Sequence, residues 1–196
     1  GLGAYPVPKG TPILRNGTFL DAKDRPVHWV TRSTGDLGSF DLLPPEADDG
    51  SAILSIKVTR AHQQPWMLEL RQKLSGELQK GQTLFVGFEY RMSEDYAFHV
   101  YWQKDSSPWP KYLAVRIGDA AAQWERCMVT VPIPETLAGD QTSLSFHLAE
   151  ATGTVQFRNI AVVVVDEGVD PLTVETTIQP VFGGDHAIPV RPAPAA

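Results

Sequence analysis

Several features that would define other classes of protein are scarce or absent in this chain of 196 residues. Cys127 is the only cysteine, which excludes an internal disulfide and a metal site built from several thiolates. The longest apolar run, Ile160 to Val165, has the length of a strand and is too short to cross a membrane as a helix. Lys and Arg number 17 against 23 Asp and Glu, and they form no runs. Because nucleic acids and anionic membranes bind basic surfaces, neither is expected as a partner.

The short motifs of several large enzyme classes are also missing. The chain has no Gly-x-Ser-x-Gly elbow, no phosphate-binding loop, no His-Glu-x-x-His pair and no dinucleotide fingerprint after a strand. The printed sequence starts at Gly1, which leaves open whether a signal peptide or another domain precedes it. Motifs alone therefore assign no catalytic chemistry.

What the chain does contain is a series of short apolar segments separated by turn residues. Gly, Pro, Ser and Asp punctuate the sequence at fairly even spacing, and helical periodicity is almost absent. This pattern predicts an all-β antiparallel sandwich of the jelly-roll type. The predicted strands are Ala52–Thr59, Met67–Leu74, Thr83–Met92, Tyr96–Gln103, Leu113–Ile117, Glu125–Val131, Ser143–Ala149 and Thr154–Val165.

The composition changes after Val165. Residues 1–165 are predicted to form the sandwich, and residues 166–196 to form a proline-rich linker or tail. The last stretch, Pro189 to Ala196, has the composition of an extended, semi-rigid segment. We interpret it as a tether to a neighbouring domain; the alternative is a disordered tail.

Two successive strands carry unusual polar faces. Side chains of a strand alternate between its two faces, so the apolar residues of each strand mark a buried side. The opposite sides carry Glu89 and Arg91 on the first strand, and His99, Tyr101 and Gln103 on the second. If both strands lie in one sheet, these residues form a single polar and aromatic patch suited to a hydroxyl-rich ligand.

Other residues are predicted to extend this patch. Alternation places His147 of a late strand, and Glu69 and Arg71 of an early one, on polar faces. Trp109, flanked by two prolines in a serine-rich loop, is the better candidate for a wall at the rim, with Trp66 as the second. The alternative for the charged residues is a set of surface ion pairs, each worth less than about 1 kcal/mol. The remaining tryptophans are expected in the core: Trp29, Trp102 and Trp124.

An ordered set of motifs resembles the carbohydrate-binding modules of families 4, 9 and 22. The resemblance covers about Leu14 to Val165, and its motifs are Asn16–Phe19, His28-Trp29, Gly50–Leu54, Pro65-Trp66, Leu68–Gln72, Leu78–Gly81, Thr83–Phe88, Trp124 with Val129–Pro132, and Gly153–Ile160. It implies a galactose-binding-like jelly roll that binds a β-glycan, of the xylan or β-glucan type, on its concave sheet. It also implies attachment to a glycoside hydrolase, and a secreted, periplasmic or cell-surface location.

Many relatives in that group hold a structural calcium ion, and two departures bear on it here. The chain reads Asn-Gly-Thr-Phe-Leu where the family usually reads Asn-Gly-Asp-Phe-Glu. Near the last strand it reads Arg158-Asn159 where the family tends to read Asp-Asn or Asp-Asp. Calcium takes six to eight oxygen ligands, several of them carboxylates. The remaining candidate ligands are Asp21, Asp48, Asp49 and Asn159.

Two rival functions remain open at this point. A polysaccharide-active enzyme would use Glu69 with Glu89 as a hydrolase pair, or the His99 and Tyr101 region as a lyase base. An arginine beside a glutamate keeps the carboxylate ionised, however, which does not suit a general acid. The other rival is a structural or protein-interaction sandwich. We expect a non-catalytic carbohydrate-binding module.

Overall fold

Two antiparallel sheets face each other in the computed structural model, which describes residues 6–46, 50–118, 121–170 and 189–190. In chain order the strands are β1 Gly10–Pro12, β2 Val30–Ser33, β3 Gly38–Leu43, β4 Ile53–Val58, β5 Leu68–Lys73, β6 Glu77–Leu78, β7 Thr83–Met92, β8 Phe98–Lys104, β9 Lys111–Ile117, β10 Ala121–Pro132, β11 Leu137–Ala138, β12 Thr142–His147, β13 Gly153–Val165 and β14 Pro189–Val190. Two 3₁₀ helices, Pro65–Met67 and Gly139–Gln141, precede β5 and β12.

The first sheet has the strand order β10-β7-β13-β4-β3, with β1 paired to β13. The second sheet has the order β14-β9-β8-β12-β5-β2, and β14 joins it in parallel to β9. A small ladder pairs β6 with β11. The all-β sandwich is therefore confirmed. In the described part of the chain, no helix is both long and apolar enough to span a bilayer.

Four phenylalanine rings join the sheets at the centre of the core. Phe88 of the first sheet meets Phe146 of the second with ring centroids 5.2 Å apart, and Phe98 meets Phe157 at 5.2 Å. All four side chains are fully buried. Edge-to-face contacts of this kind contribute about 1 kcal/mol each beyond the burial of apolar area. The core therefore fixes how one sheet sits on the other.

The structure corrects the expectation that β7 and β8 share a sheet. Strand β7 lies between β10 and β13 in the first sheet, whereas β8 lies between β9 and β12 in the second. Their apolar faces meet across the core, where the rings of Phe88 and Phe98 are 6.2 Å apart. Their polar faces consequently point to opposite sides of the molecule. Alternation identifies the buried face of each strand but does not say which sheet the strand joins.

All eight predicted strands are present, and Thr83–Met92 has the predicted bounds. The early strands β2 and β3 were not predicted, because Val30–Ser33 and Gly38–Leu43 are mainly exposed or half-buried edge segments. Residues 166–170 follow β13, and β14 falls within the predicted linker. The rest of that linker lies outside the described residues.

Candidate functional site

A groove of about 430 Å³ lies on the outer face of the second sheet. The strand register explains which side chains meet there. Glu69 of β5 stands opposite His147 of β12, which stands opposite His99 of β8. Two residues further along each strand, on the same face, a second cross-strand row consists of Arg71, Ser145 and Tyr101. Cross-strand partners on one face lie about 5 Å apart, so these rows form a continuous floor.

Two exposed tryptophans line this groove from opposite ends of the strands. Trp66 sits in the 3₁₀ helix that leads into the first residue of β5, and 41% of its surface is exposed. Trp109 sits in the loop after the last residue of β8, and 46% of its surface is exposed. Large indole surfaces left in water at the rim of a polar groove are typical of a binding site.

The backbone at Trp109 is held in an uncommon conformation. Its φ is 60°, a region that costs a bulky residue about 1 kcal/mol or more. A hydrogen bond from the Trp109 amide to the Ser106 carbonyl, 2.7 Å long, closes the turn that holds it. The residue held in this conformation is one whose indole lines the groove.

A line of rings crosses the floor. His99 stacks on Tyr101 with centroids 5.6 Å apart, Tyr101 meets His147 at 4.7 Å, and His147 meets Trp66 at 6.2 Å. This packing buries Tyr101, of which 7% is exposed. The sequence predicted Tyr101 as a platform for a sugar ring, and its burial corrects that role. The exposed aromatic surfaces of the groove belong to Trp66 and Trp109.

His147 presents a polar atom without a hydrogen bond at the groove. Its Nε2 is buried and makes no hydrogen bond to any described residue, and the residue is 8% exposed. Burial lowers the pKa of His147 to about 3, with further lowering by the positive charges of Lys111, His99 and Arg32. The imidazole is therefore neutral at neutral pH, although Oε2 of Glu69 lies 3.6 Å from Nε2. A buried polar atom without a partner is costly unless a ligand or water completes it.

A charged cluster anchors the far end of the ring line. Nδ1 of His99 lies 2.9 Å from one carboxylate oxygen of Glu150. The other oxygen accepts a hydrogen bond from Nε of Arg116 at 2.9 Å and lies 2.7 Å from an Nη atom of the same guanidinium. Burial would raise the pKa of Glu150, but the hydrogen bonds from His99 and Arg116 outweigh it and lower that pKa to about 2. The ionised carboxylate thus holds the His99 ring against Tyr101.

Seven of the nine predicted ligand-binding residues come together at this face. Five line the groove, and the list is Glu69, Arg71, Gln103, Trp109 and His147. His99 and Tyr101 support it from the same face. Glu89 and Arg91 do not belong to it, because β7 lies in the other sheet.

Glu89 is buried in a charged network on the outer side of the first sheet. Its carboxylate accepts hydrogen bonds from Nε of Arg126 at 3.0 Å, Nε of Arg158 at 3.1 Å and Nδ2 of Asn159 at 2.6 Å. Nearby, the guanidinium groups of Arg91 and Arg158 lie 4.5 and 3.9 Å from the ring centre of Trp124. Trp124 is thus half-buried between cations and is not a core residue as predicted, whereas Trp29 and Trp102 are buried.

Sequence reasoning missed two cations of the groove. Arg32 lies on edge strand β2 opposite Glu69, and Lys111 opens β9 with its Nζ 5.2 Å from the ring centre of Tyr101. Neither stood out, because a single charged residue near a strand end is common in any soluble protein. Register, which brings the ends of distant strands together, was the missing information.

The predicted calcium ligands are not assembled among the described residues. Nδ2 of Asn159 donates to Glu89, and the carbonyl of Asp21 accepts from Nδ2 of Asn16 at 2.7 Å. No group of three or more His, Cys, Asp or Glu that could hold a metal is found in the described part of the chain. Asp48 and Asp49 lie outside the described residues. The described side chains alone do not fit the ion, and calcium stays a prediction that depends on those two aspartates.

A second depression, of about 540 Å³, lies near the edge strand β2. Among its described lining residues are Arg15, His28, Gln72 and Asp140, and these residues include no Trp, Tyr or Phe. A site without a large aromatic side chain offers a sugar ring little surface for packing. The groove between the two tryptophans is therefore the better candidate site.

Comparisons with solved structures agree with this geometry at the level of the fold. A structure of a CBM4, a family 4 carbohydrate-binding module, superposes with a TM-score of 0.57 at 22% identity, covering 76% of this chain and 97% of that one. The chain shares this fold. The second N-terminal cellulose-binding domain of a Cellulomonas fimi β-1,4-glucanase C gives 0.51 at 14% identity, covering 81% and 97%.

An arabinose-bound GH51 α-L-arabinofuranosidase gives a TM-score of 0.60 at 12% identity, but the match covers 78% of this chain and 26% of the enzyme. No protein-family model matches the sequence, and a search of curated proteins found no match. The predicted resemblance to carbohydrate-binding modules is confirmed at the level of the fold.

Proposed function

We propose that this chain binds a carbohydrate non-catalytically in the groove of the second sheet. The observation that carries the proposal is the pair of exposed indoles, Trp66 and Trp109, which line one polar groove from opposite ends of its strands. Sugar rings present C–H faces that pack on aromatic rings, and hydroxyls that need fixed hydrogen-bond partners. The groove offers both kinds of contact.

The floor supplies polar groups that suit sugar hydroxyls. Nε2 of neutral His147 can accept or donate one hydrogen bond, according to its tautomer, and has no described partner. The guanidinium of Arg71 and the amide of Gln103 line the same groove. A ligand hydroxyl that reaches Nε2 removes the cost of burying that atom unpaired. Affinity should be modest, since an open groove only partly desolvates its ligand.

The finer specificity is part of the proposal. We take the ligand to be a β-glycan chain of the xylan or β-glucan type, in keeping with the resemblance of the sequence. Residues 166–196 would tether the module to a glycoside hydrolase and hold that enzyme close to its polymer, raising the local substrate concentration. Such a protein works outside the cell, in the periplasm or at the cell surface.

The number of carboxylates that line the groove favours non-catalytic binding over hydrolysis. Glycosidases commonly use two carboxyl groups about 5–10 Å apart, one on each side of the scissile bond. Glu69 is the one acidic residue among the described lining residues, and its Oε2 accepts a 2.7 Å hydrogen bond from the Ser145 hydroxyl. The partner weighed for it, Glu89, lies in the other sheet. The described lining residues therefore do not supply the pair of carboxylates that a glycosidase of this kind uses.

Affinity electrophoresis against a panel of soluble polysaccharides tests the proposal. The panel contains xylan, mixed-linkage β-glucan, hydroxyethylcellulose and a uronate-rich polymer, with an α-glucan as a control. After incubation, new reducing ends and absorbance of unsaturated uronates are measured in the same samples. We expect retardation in at least one β-glycan gel and no shortening of any polymer.

Other outcomes have defined meanings. Shortening of a polymer would show a catalytic groove and overturn the non-catalytic assignment. Unchanged mobility in every gel would overturn carbohydrate binding and favour a structural or protein-interaction sandwich.

A further inference from the structure

Positive charge is concentrated in the groove of an otherwise acidic chain. The net charge of the whole chain is −6. Among the described residues that line the groove, Arg32, Arg71 and Lys111 are basic and Glu69 is acidic. A cleft lined mainly by one sign of charge attracts ligands of the opposite sign even when the protein as a whole repels them. A neutral glycan has no charge for these basic residues to attract, whereas an anionic one does.

The charge of Arg71 in particular is left for a ligand. Its guanidinium makes no hydrogen bond or ion pair to any residue within the described ranges, although it is half-buried between β2 and β12. Glu69, two residues earlier on the same strand, is held by the Ser145 hydroxyl at 2.7 Å. A planar guanidinium in this setting is suited to bind a carboxylate through two parallel hydrogen bonds.

The pKa of His147 is consistent with the basic character of the groove. It falls mainly through burial, and Lys111, His99 and Arg32 add to the lowering, although the carboxylate of Glu69 lies 3.6 Å away. Protonation there would add a further positive charge to a positively charged site. The neutral imidazole adds no charge of its own to the groove and remains a hydrogen-bond partner for a hydroxyl.

From these contacts we propose that the groove is selective for an anionic glycan, with a sugar carboxylate bound at Arg71 between Arg32 and Lys111. This inference rests on the proposed carbohydrate binding and names the substrate class of that same site. The indoles of Trp66 and Trp109 would pack on the sugar rings on either side of the charged residue. A uronate-bearing β-glycan, such as a xylan with glucuronate branches, has this chemistry.

A matched pair of ligands isolates the carboxylate. Affinity for glucuronate-substituted xylan is compared with affinity for the same xylan after its carboxyl groups have been reduced to alcohols. We expect the native polymer to bind at least about tenfold more tightly at low salt, a difference of about 1.4 kcal/mol. The advantage should shrink as NaCl rises from about 20 mM to about 200 mM, because salt screens partly exposed charges.

Variants locate the effect. Arg71→Gln should weaken binding of the native polymer more than binding of the reduced one, so that the preference falls to about threefold or less, and Arg32→Gln should act in the same direction. Lys57→Gln removes the same charge from an exposed site on β4 of the other sheet, so its preference should match that of the parent chain. Thermal melting of each variant checks that it is folded.

The outcomes separate this inference from the proposed function. Binding of both polymers with equal affinity, or a preference that survives Arg71→Gln, would overturn selectivity for anions and leave carbohydrate binding intact. Binding of neither polymer, nor of any other glycan, would overturn both. Equal affinity for poly-glutamate would show recognition of charge without sugar, and would also contradict the inference.

Discussion

Nε2 of His147 lies 3.6 Å from Oε2 of Glu69, yet the two side chains do not form an ion pair, because the imidazole is neutral. Burial and nearby cations bring the pKa of His147 down to about 3, below the value of about 6.5 expected in an unfolded chain. Between those two values the unfolded chain binds a proton that the folded chain does not. The stability associated with His147 is therefore complete above about pH 6.5 and is lost as the pH falls towards about 3.

This linkage predicts a difference between the parent chain and His147→Gln. Urea unfolding at about pH 7 and about pH 5 should show the parent losing about 2 kcal/mol more than the variant over that interval. Glu150 does not interfere, because its pKa is lowered to about 2 and its contribution is lost only below about 4.5. Equal losses in the two proteins would mean that His147 titrates normally.

The tryptophans of the groove are expected to contribute to affinity and not to stability. Trp66→Ala and Trp109→Ala should each weaken binding of the best glycan at least about fivefold, since each removes an aromatic surface worth about 1 kcal/mol in a complex. Their melting temperatures should stay near that of the parent, because both side chains are more than one-third exposed. Isothermal titration calorimetry and thermal melting measure the two quantities.

Trp124 is the control for that pair. It carries the same side chain on the first sheet, between Arg91 and Arg158. Trp124→Ala should leave glycan affinity unchanged, whatever it does to the melting temperature. If Trp124→Ala lost as much affinity as the groove variants, the ligand would bind the first sheet, and our assignment of the second sheet would be wrong.

Glu89 is expected to act in stability alone. It is 2% exposed and accepts hydrogen bonds from Arg126, Arg158 and Asn159. Glu89→Gln removes the buried negative charge that Arg126 and Arg158 both face, so we expect a loss of about 3 kcal/mol in the free energy of unfolding. Asp41→Asn, at an exposed position of the same sheet, should change it by less than about 0.5 kcal/mol.

Glu89→Gln also tests which face of the sandwich binds the glycan. Glycan affinity of folded Glu89→Gln should equal that of the parent, which affinity electrophoresis at low temperature measures. A selective loss of affinity would restore the ligand-binding role that the sequence suggested for Glu89.

Calcium binding is a prediction with its own measurement. An ion held by Asp48 and Asp49, with Asp21 and Asn159, would raise the melting temperature relative to the protein in a chelator, because a ligand bound to the folded state stabilises it. The double variant Asp48→Asn, Asp49→Asn should abolish that rise. Identical melting of the parent chain with calcium and with chelator would refute the prediction.

The sequence predicted the strands and their buried faces well, but it did not predict which strands share a sheet. Period-two alternation identified β7 and β8 and the buried face of each, because burial of apolar side chains is a local requirement. Alternation could not show whether β7 and β8 are neighbours in one sheet or lie in different sheets on opposite sides of the core, since both arrangements bury the same faces. Glu89 and His99 were therefore grouped, although they point to opposite sides of the molecule.

The site shows the same division. Residues such as Glu69, Arg71, His99 and His147 were identified because polar and charged side chains on an otherwise apolar strand mark its outer face. Arg32 and Lys111 join them only through register and strand order, which are long-range properties. By itself the sequence determined an all-β sandwich and the outward faces of its strands. The tertiary structure decided which faces share a surface, because strand pairing depends on contacts between residues far apart in the chain.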